Sequence, residues 1–178
     1  MTELEAIQHR AKVQQLEFLL IGGLAVIEHG FPRVTTDIDL LVRKRDQGTW
    51  KGLARDLGYQ PIREADNFHQ YERPEITTWP LDLMLVNDIT YDRLAEVSLP
   101  AHVMGASVQM VSLKHLIALK LHVLKQGKLD RFLDDFIDVV ELVKANRLDL
   151  QTEQFRALFI RYGTADLYDK VRSVLDAE

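Results

Sequence analysis

Three aspartates of this chain lie in short segments whose other residues are mostly apolar. Asp37 and Asp39 belong to the segment 36–40, and Asp82 lies between two leucines in the segment 81–85. Such segments are typical of buried strands, in which an uncompensated carboxylate is energetically costly. Because side chains alternate along a strand, Asp37 and Asp39 point to the same side. Two close carboxylates repel unless a positive charge lies between them, so the pair predicts a bound divalent cation such as Mg²⁺.

Asp82 has two interpretations. It is either a third ligand of the cation or an acid that is neutralised by a buried arginine or by backbone donors. Two-metal phosphoryl transfer uses such a set of carboxylates, with ions about 3.5–4 Å apart that stabilise the attacking and leaving oxygens. In that chemistry Asp82 lies on the acceptor side and can also accept the proton of the attacking hydroxyl.

Two glycines follow the apolar strand segment 18–21. Gly22 and Gly23 precede a predicted short helix over residues 24–29. Such a corner lets a phosphate approach the backbone, and the free N–H groups at the start of the helix attract an anion. The alternative is a tight turn that needs glycine for its backbone angles. The Asp-x-Asp pair in the next predicted strand favours the phosphate interpretation, because it places an anion site and a cation site on adjacent segments.

Hydrophobic periodicity predicts the elements that must position these residues. Strands are expected over 18–21, 37–42, 68–73, 76–79, 81–86 and 103–110, and helices over 3–15, 24–29, 46–57, 113–125, 131–145, 153–162 and 165–175. The strands 68–73 and 76–79 are expected to pair, and Asp46 and Asp130 are predicted helix caps. The pattern predicts an α/β (α+β) core over residues 1–111 and a helical region over 112–178 packed on it.

The composition excludes several kinds of site and partner. The chain of 178 residues has no cysteine, which excludes disulfides, thiolate-bound metals and a cysteine nucleophile and fits a reducing compartment. Its longest apolar run, residues 18–27, is too short to cross a bilayer, and its first residues lack a basic and then an apolar stretch, so no signal peptide is expected. We therefore expect a cytoplasmic protein with no membrane partner. A net charge of −5 disfavours non-specific DNA binding, although residues 43–45 are either a local basic patch or a solvated strand end.

The ordered motifs of residues 18–86 resemble the nucleotidyltransferase superfamily with the DNA polymerase beta-like fold. They are Gly22-Gly23 before a helix, then Arg33-x-Thr35-x-Asp37-Ile38-Asp39-Leu40, then Leu81-Asp82-Leu83. The chain is most similar to small bacterial nucleotidyltransferase-like proteins, which include AbiEii-type toxins and aminoglycoside-type nucleotidyltransferases. The resemblance implies a mixed sheet flanked by helices with a C-terminal helical annex. It also implies that the two glycines hold nucleotide phosphates and that the three aspartates bind Mg²⁺ or Mn²⁺. Arg33 would contact phosphate or, alternatively, form a salt bridge that screens the acidic pair.

The helical half contains a second motif that resembles the AbiEii-type branch. Lys120 falls within an apolar stripe of the helix 113–125, so it must extend to solvent or meet an anion. Asp135 and Asp138 are three residues apart and share a helix face. By the resemblance, Lys120 would contact a phosphate and the two acids would orient it. The alternative is a surface lysine and an exposed acidic face. Because Asp134 precedes Asp135 directly, the sequence does not decide which of the two acids belongs to the second motif.

The sequence therefore predicts a metal-dependent nucleotidyltransferase. It would transfer an NMP group from an NTP, such as ATP, to a hydroxyl acceptor and release pyrophosphate. The acceptor stays open among a tRNA end, a protein side chain and a small molecule, and a toxin-like member would have an antitoxin protein as its partner. One alternative is a non-catalytic nucleotide-binding or regulatory module on the same fold. Another is a hydrolase that uses the same metal pair with water as acceptor.

Overall fold

The structure is a computed structural model that describes residues 1–75, 78–127 and 129–177. Within these residues the strands are β1 (Phe18–Leu20), β2 (Ile38–Arg43), β3 (Gln60–Ala65), β4 (Phe68–Glu72), β5 (Leu81–Val86), β6 (Leu99–Val103) and β7 (Ala106–Met110). The α-helices are α1 (Glu3–Val13), α2 (Gly22–Glu28), α3 (Gln47–Asp56), α4 (Asp88–Ala95), α5 (Leu113–Lys125), α6 (Leu129–Ala145), α7 (Glu153–Tyr162) and α8 (Ala165–Asp176).

The strands form one mixed sheet in the order β3-β4-β5-β2-β1-β7-β6, which confirms the predicted fold class. Internal contacts divide the chain into two compact units. The first comprises Met1–Ala25 and Arg33–Ser112 and contains the sheet, and the second comprises Val26–Pro32 and Leu113–Glu178 and contains α5 to α8. In the part of the chain that is described, no helix has both the length and the apolar character needed to cross a bilayer.

The centre of the sheet is the parallel pair of β2 and β5. Asp39 lies directly opposite Asp82 in this pair. The alternate side chains form the core and are completely buried: Ile38, Leu40, Leu81 and Leu83. Burial of this apolar face stabilises the register, because a shift by one residue would move the acids into the core. The two aspartates therefore point together to the opposite face of the sheet.

Three local predictions are wrong, one about a strand pair and two about helix caps. β4 pairs with β3 and β5, not with a strand over 76–79; residues 78 and 79 are not in a strand, and residues 76 and 77 lie outside the described residues. Asp46 makes no capping hydrogen bond, since it ends a 3₁₀ turn over Lys44–Asp46 and lacks the extended backbone of a cap (φ −92°, ψ 6°). Asp130 lies inside α6 instead of before it.

The buried face of β4 contains a titratable residue with a predictable effect on stability. His69 is 3% exposed, and its Nδ1 lies 3.1 Å from the Tyr71 hydroxyl. Burial, together with the charge of Lys51, lowers the pKa of His69. An unfolded histidine has a pKa of about 6.5, so the unfolded chain binds more protons than the folded one below that pH, and stability must fall on acidification.

We expect the free energy of unfolding to decrease from about pH 7.5 to about pH 5.5, and to decrease less in His69→Gln. Urea titrations at several pH values measure this difference. The matched control is His9→Gln, which alters an exposed histidine on α1 and should keep the wild-type pH dependence. An identical pH dependence in His69→Gln and wild type would contradict the assignment.

Candidate metal centre

The three predicted aspartates converge at one point of the sheet. One carboxylate oxygen from each of Asp37, Asp39 and Asp82 lies within 4.8 Å of the other two. Asp39 and Asp82 occupy paired positions of β2 and β5, and Asp37 immediately precedes β2. Asp82 is 3% exposed and Asp39 is 9% exposed. Because water screens these charges poorly, their mutual repulsion favours a bound cation.

The donor set fits a hard divalent cation. All three side chains offer carboxylate oxygens, which are the ligands that Mg²⁺ and Mn²⁺ prefer. Among the residues that the structure describes, no other group of three or more histidine or acidic side chains has this spacing. The structure therefore brings together the three aspartates of the predicted cation site, and their role as metal ligands stays a prediction.

Thr35 positions the first aspartate, a role that sequence analysis did not assign. Its hydroxyl donates a 2.9 Å hydrogen bond to Asp37 Oδ1, which orients that carboxylate. The backbone fixes the second aspartate, because the N–H of Ile21 donates to the Asp39 carbonyl at 3.0 Å. The available signal for Thr35 was its place two residues before an aspartate, where a hydroxyl can bond to a neighbouring polar group.

The two glycines lie directly against this cluster. Gly22 has a φ of +66°, and a Cβ placed there would be 1.8 Å from Asp39 Oδ2. A Cβ on Gly23 would be 2.3 Å from Thr35 Oγ1 and 3.2 Å from Arg33 Nη2. The start of α2 thus approaches the acids more closely than any residue with a side chain would allow. The same contacts place the Arg33 guanidinium at this corner.

Substitution of Gly22 tests this close approach. We expect Gly22→Ala to lower the free energy of unfolding by at least about 1 kcal/mol, because the positive φ is strained for alanine. We also expect it to weaken Mn²⁺ binding by at least about 10-fold, since the new methyl group must displace the Asp39 carboxylate. Urea unfolding and calorimetric Mn²⁺ titration measure the two effects.

The matched control for Gly22→Ala is Gly52→Ala. Gly52 lies inside α3, and a Cβ there meets nothing within 4 Å. This variant should be more stable than wild type by about 0.5–1 kcal/mol, as alanine favours a helix interior, and should bind Mn²⁺ normally. Wild-type stability and wild-type Mn²⁺ affinity in Gly22→Ala would refute the proposed contact.

The second predicted motif forms a buried ion cluster in the second unit. Lys120 Nζ lies 2.8 Å from Asp135 Oδ1 and 2.7 Å from Asp138 Oδ2. The three side chains are 10%, 13% and 1% exposed, in that order. Asp134 is exposed, so Asp135 and Asp138 are the acids that meet the lysine. The interpretation of Lys120 as a surface lysine is therefore wrong.

The run of basic residues at 43–45 does not form a free basic patch. Each member forms ion pairs with acids of the first unit. Arg43 lies within ion-pair distance of Glu17, Asp88 and Asp92. Lys44 pairs with Asp66, and Arg45 pairs with Asp46 and Asp88. Arg43 is also stacked on the Tyr91 ring, 4.1 Å from its centroid. These contacts neutralise the run, so it does not support an RNA-binding surface.

The fold of this chain is similar to that of solved nucleotidyltransferases. ANT(2")-Ia in complex with adenylyl-2"-tobramycin matches with a TM-score of 0.63 at 18% identity, over 97% of this chain and 96% of that chain. The lincosamide antibiotic adenylyltransferase LnuA, lincomycin-bound, matches with a TM-score of 0.56 at 17% identity, over 80% of this chain and 96% of that chain. An antigenic nucleotidyltransferase-like protein from Paracoccidioides brasiliensis matches with a TM-score of 0.57 at 13% identity, over 99% of this chain and 93% of that chain.

At these identities the similarity shows the nucleotidyltransferase fold and leaves activity to be argued from the site. No protein-family model matches the chain, and no curated protein matches it. The predicted nucleotidyltransferase fold is confirmed. The AbiEii-type branch stays a prediction.

Proposed function

We propose that this protein is a metal-dependent nucleotidyltransferase that transfers an NMP group from an NTP to a hydroxyl acceptor. The observation that carries the proposal is the convergence of three carboxylates within 4.8 Å on a nucleotidyltransferase fold. Asp37, Asp39 and Asp82 would hold Mg²⁺ or Mn²⁺, which when bound stabilises charge on the attacking and leaving oxygens. The presence of all three acids favours an enzyme over a non-catalytic module.

The strand order supports separate places for the two substrates. β1 and β5 flank β2 on opposite sides, so the glycines after β1 and Asp82 on β5 approach Asp39 from opposite sides. We assign the NTP phosphates to the side of Gly22, Gly23 and Arg33, and the acceptor to the side of Asp82. An in-line displacement needs the attacking and leaving groups on opposite sides of the phosphorus.

The proposed step balances without a further reactant. The acceptor oxygen forms a bond to the α-phosphorus, and the bond from the α-phosphorus to the bridging oxygen breaks to release pyrophosphate. The acceptor hydroxyl loses its proton, which the Asp82 carboxylate would accept. Asp37 and Asp39 keep their charge throughout, and Thr35 keeps Asp37 oriented through its hydrogen bond.

We include Lys120 in the proposal as a phosphate contact. An ammonium has three N–H donors, and the two carboxylates of Asp135 and Asp138 account for two of them. The third would donate to a phosphate oxygen, with the acids holding the lysine in place. This role rests on the resemblance of the motif. The cytoplasmic location and an antitoxin partner likewise rest on the sequence alone.

The direct test incubates the protein with labelled ATP or another NTP, Mg²⁺ or Mn²⁺, and candidate acceptors. We expect pyrophosphate release together with label on the acceptor, and loss of both in the double variant Asp37→Asn and Asp39→Asn. Tight NTP binding without pyrophosphate release would instead support the non-catalytic module. NMP as the sole labelled product would support the hydrolase.

A further inference from the structure

A row of side chains extends from the aspartate cluster across the sheet. Gln70 of β4 is paired directly with Asp82 of β5, and Arg63 of β3 is paired with Gln70. Side chains at paired positions point to the same face. Asp39, Asp82, Gln70 and Arg63 therefore form one continuous row that runs from the metal site towards β3, which is an edge strand.

The outer two members of this row are not engaged by the fold. Gln70 is half-buried and Arg63 is exposed, and neither side chain makes a hydrogen bond or ion pair with any residue of the described ranges. The opposite face of the same strands differs, because there Tyr71 is hydrogen-bonded to His69 and Glu64. A half-buried amide without a protein partner gains free energy from a ligand that supplies one.

An apolar surface lies beside this row. Phe68 and Met84 are directly paired and lie on the same face as Gln70, and both are half-buried. Beyond Gln70 in the other direction, Glu72 is the next side chain of β4 on this face. Among the described positions of β3 and β4 on this face, Glu72 is the one acid and Arg63 the one base, so these positions offer a single carboxylate where a polycationic acceptor requires several.

We propose that Phe68, Gln70, Met84 and Arg63 form an acceptor surface that selects an uncharged hydroxyl compound with an apolar face. The inference rests on the proposed function and names its substrate class. The reacting hydroxyl lies at Asp82, and the Gln70 amide hydrogen-bonds a polar group of the same molecule about one strand spacing (~4.8 Å) away. Phe68 and Met84 contact the apolar face of the acceptor.

The test measures transfer from ATP to acceptors that differ in charge and apolar area. Chloramphenicol and phenyl β-D-glucoside are uncharged and have an aromatic face, glucose and glycerol are uncharged without one, and tobramycin and kanamycin are polyamines. We expect the aromatic pair to have kcat/KM values at least about 10-fold above those of the other four, because only they bury a ring. Preferential transfer to the polyamines, to tRNA or to protein would overturn the inference.

Variants separate acceptor binding from catalysis. Gln70→Ala and Phe68→Leu should each raise the KM of the aromatic acceptors by about 5- to 10-fold while leaving the KM of ATP unchanged. The matched control is Gln109→Ala, an exposed glutamine on β7 at the other side of the sheet, which should change neither KM. Unfolding midpoints of all variants show whether the fold is retained. Equal changes in both KM values, or none, would overturn the inference.

Failure of this inference and failure of the proposed function give different results. Calorimetric binding of ATP in the presence of Mn²⁺, with transfer to an unexpected class of acceptor, overturns the acceptor surface alone. Absence of ATP binding and of pyrophosphate release with every acceptor overturns the proposed function, and the acceptor surface with it.

Discussion

Asp39→Asn is expected to reduce nucleotidyl transfer by at least about 10³-fold, because it removes a charged ligand at the centre of the proposed cation site. The same substitution should leave the metal-free protein as stable as wild type or more stable. Asp39 is nearly buried and lies within 4.8 Å of two other carboxylates, so loss of its charge relieves repulsion while the isosteric amide keeps the shape. A substitution that lowers activity but raises stability is typical of a binding site, because the site keeps unfavourable charge contacts that its ligand compensates.

Urea unfolding with and without Mn²⁺ tests both effects in one series. A cation that binds only the folded state stabilises wild type, by about 2.7 kcal/mol at a concentration 100-fold above its Kd, and should stabilise Asp39→Asn far less. Asp66→Asn is the matched control, because Asp66 is 88% exposed and, among the residues that the structure describes, forms an ion pair with Lys44 alone; it should resemble wild type in every measurement. Retained transfer in Asp39→Asn, or full stabilisation by Mn²⁺, would be incompatible with the proposed centre.

The aspartate cluster was predictable because each acid stands out within its own segment. Apolar neighbours of Asp39 and Asp82 indicate buried strands, and alternation alone places Asp37 beside Asp39. The contribution of Gln70 was not predictable in this way, since it depends on the register between β4 and β5. Periodicity describes one strand at a time and contains no information on which strand becomes its neighbour.

Edge strands show the same limit. β3 was not predicted, because five of its six residues are exposed and it contains Pro61; without a buried face there is no alternation to detect. α5 and α7 were predicted with their observed bounds, as both have a buried stripe and local end signals. Gly127 has a φ of +67° just after α5, and the Thr152 hydroxyl caps α7 at Phe155 N–H.

Lys120→Met is expected to lower the free energy of unfolding by about 3–5 kcal/mol, the typical cost of leaving one side of a buried ion pair uncompensated. The variant keeps an unbranched side chain of similar length but removes the charge between Asp135 and Asp138. Asp138 is 1% exposed, so its carboxylate has little access to solvent. Urea unfolding at neutral pH measures the loss.

The triple variant Lys120→Met with Asp135→Asn and Asp138→Asn separates charge from packing. If the cost of Lys120→Met is electrostatic, neutralising both acids should recover most of the stability. The difference between the stability change of the triple variant and the sum of the separate changes measures the interaction energy between Lys120 and the two acids. Lys144→Met is the control lysine, since its partner Glu141 is three residues away on the same helix and both side chains are about a quarter to a third exposed. Its loss should stay below about 1 kcal/mol. Equal losses of unfolding free energy in Lys120→Met and Lys144→Met would show that the Lys120 cluster is no stronger than a surface pair. Recovery of stability in the triple variant without recovery of nucleotidyl transfer would indicate that Lys120 also acts on the nucleotide.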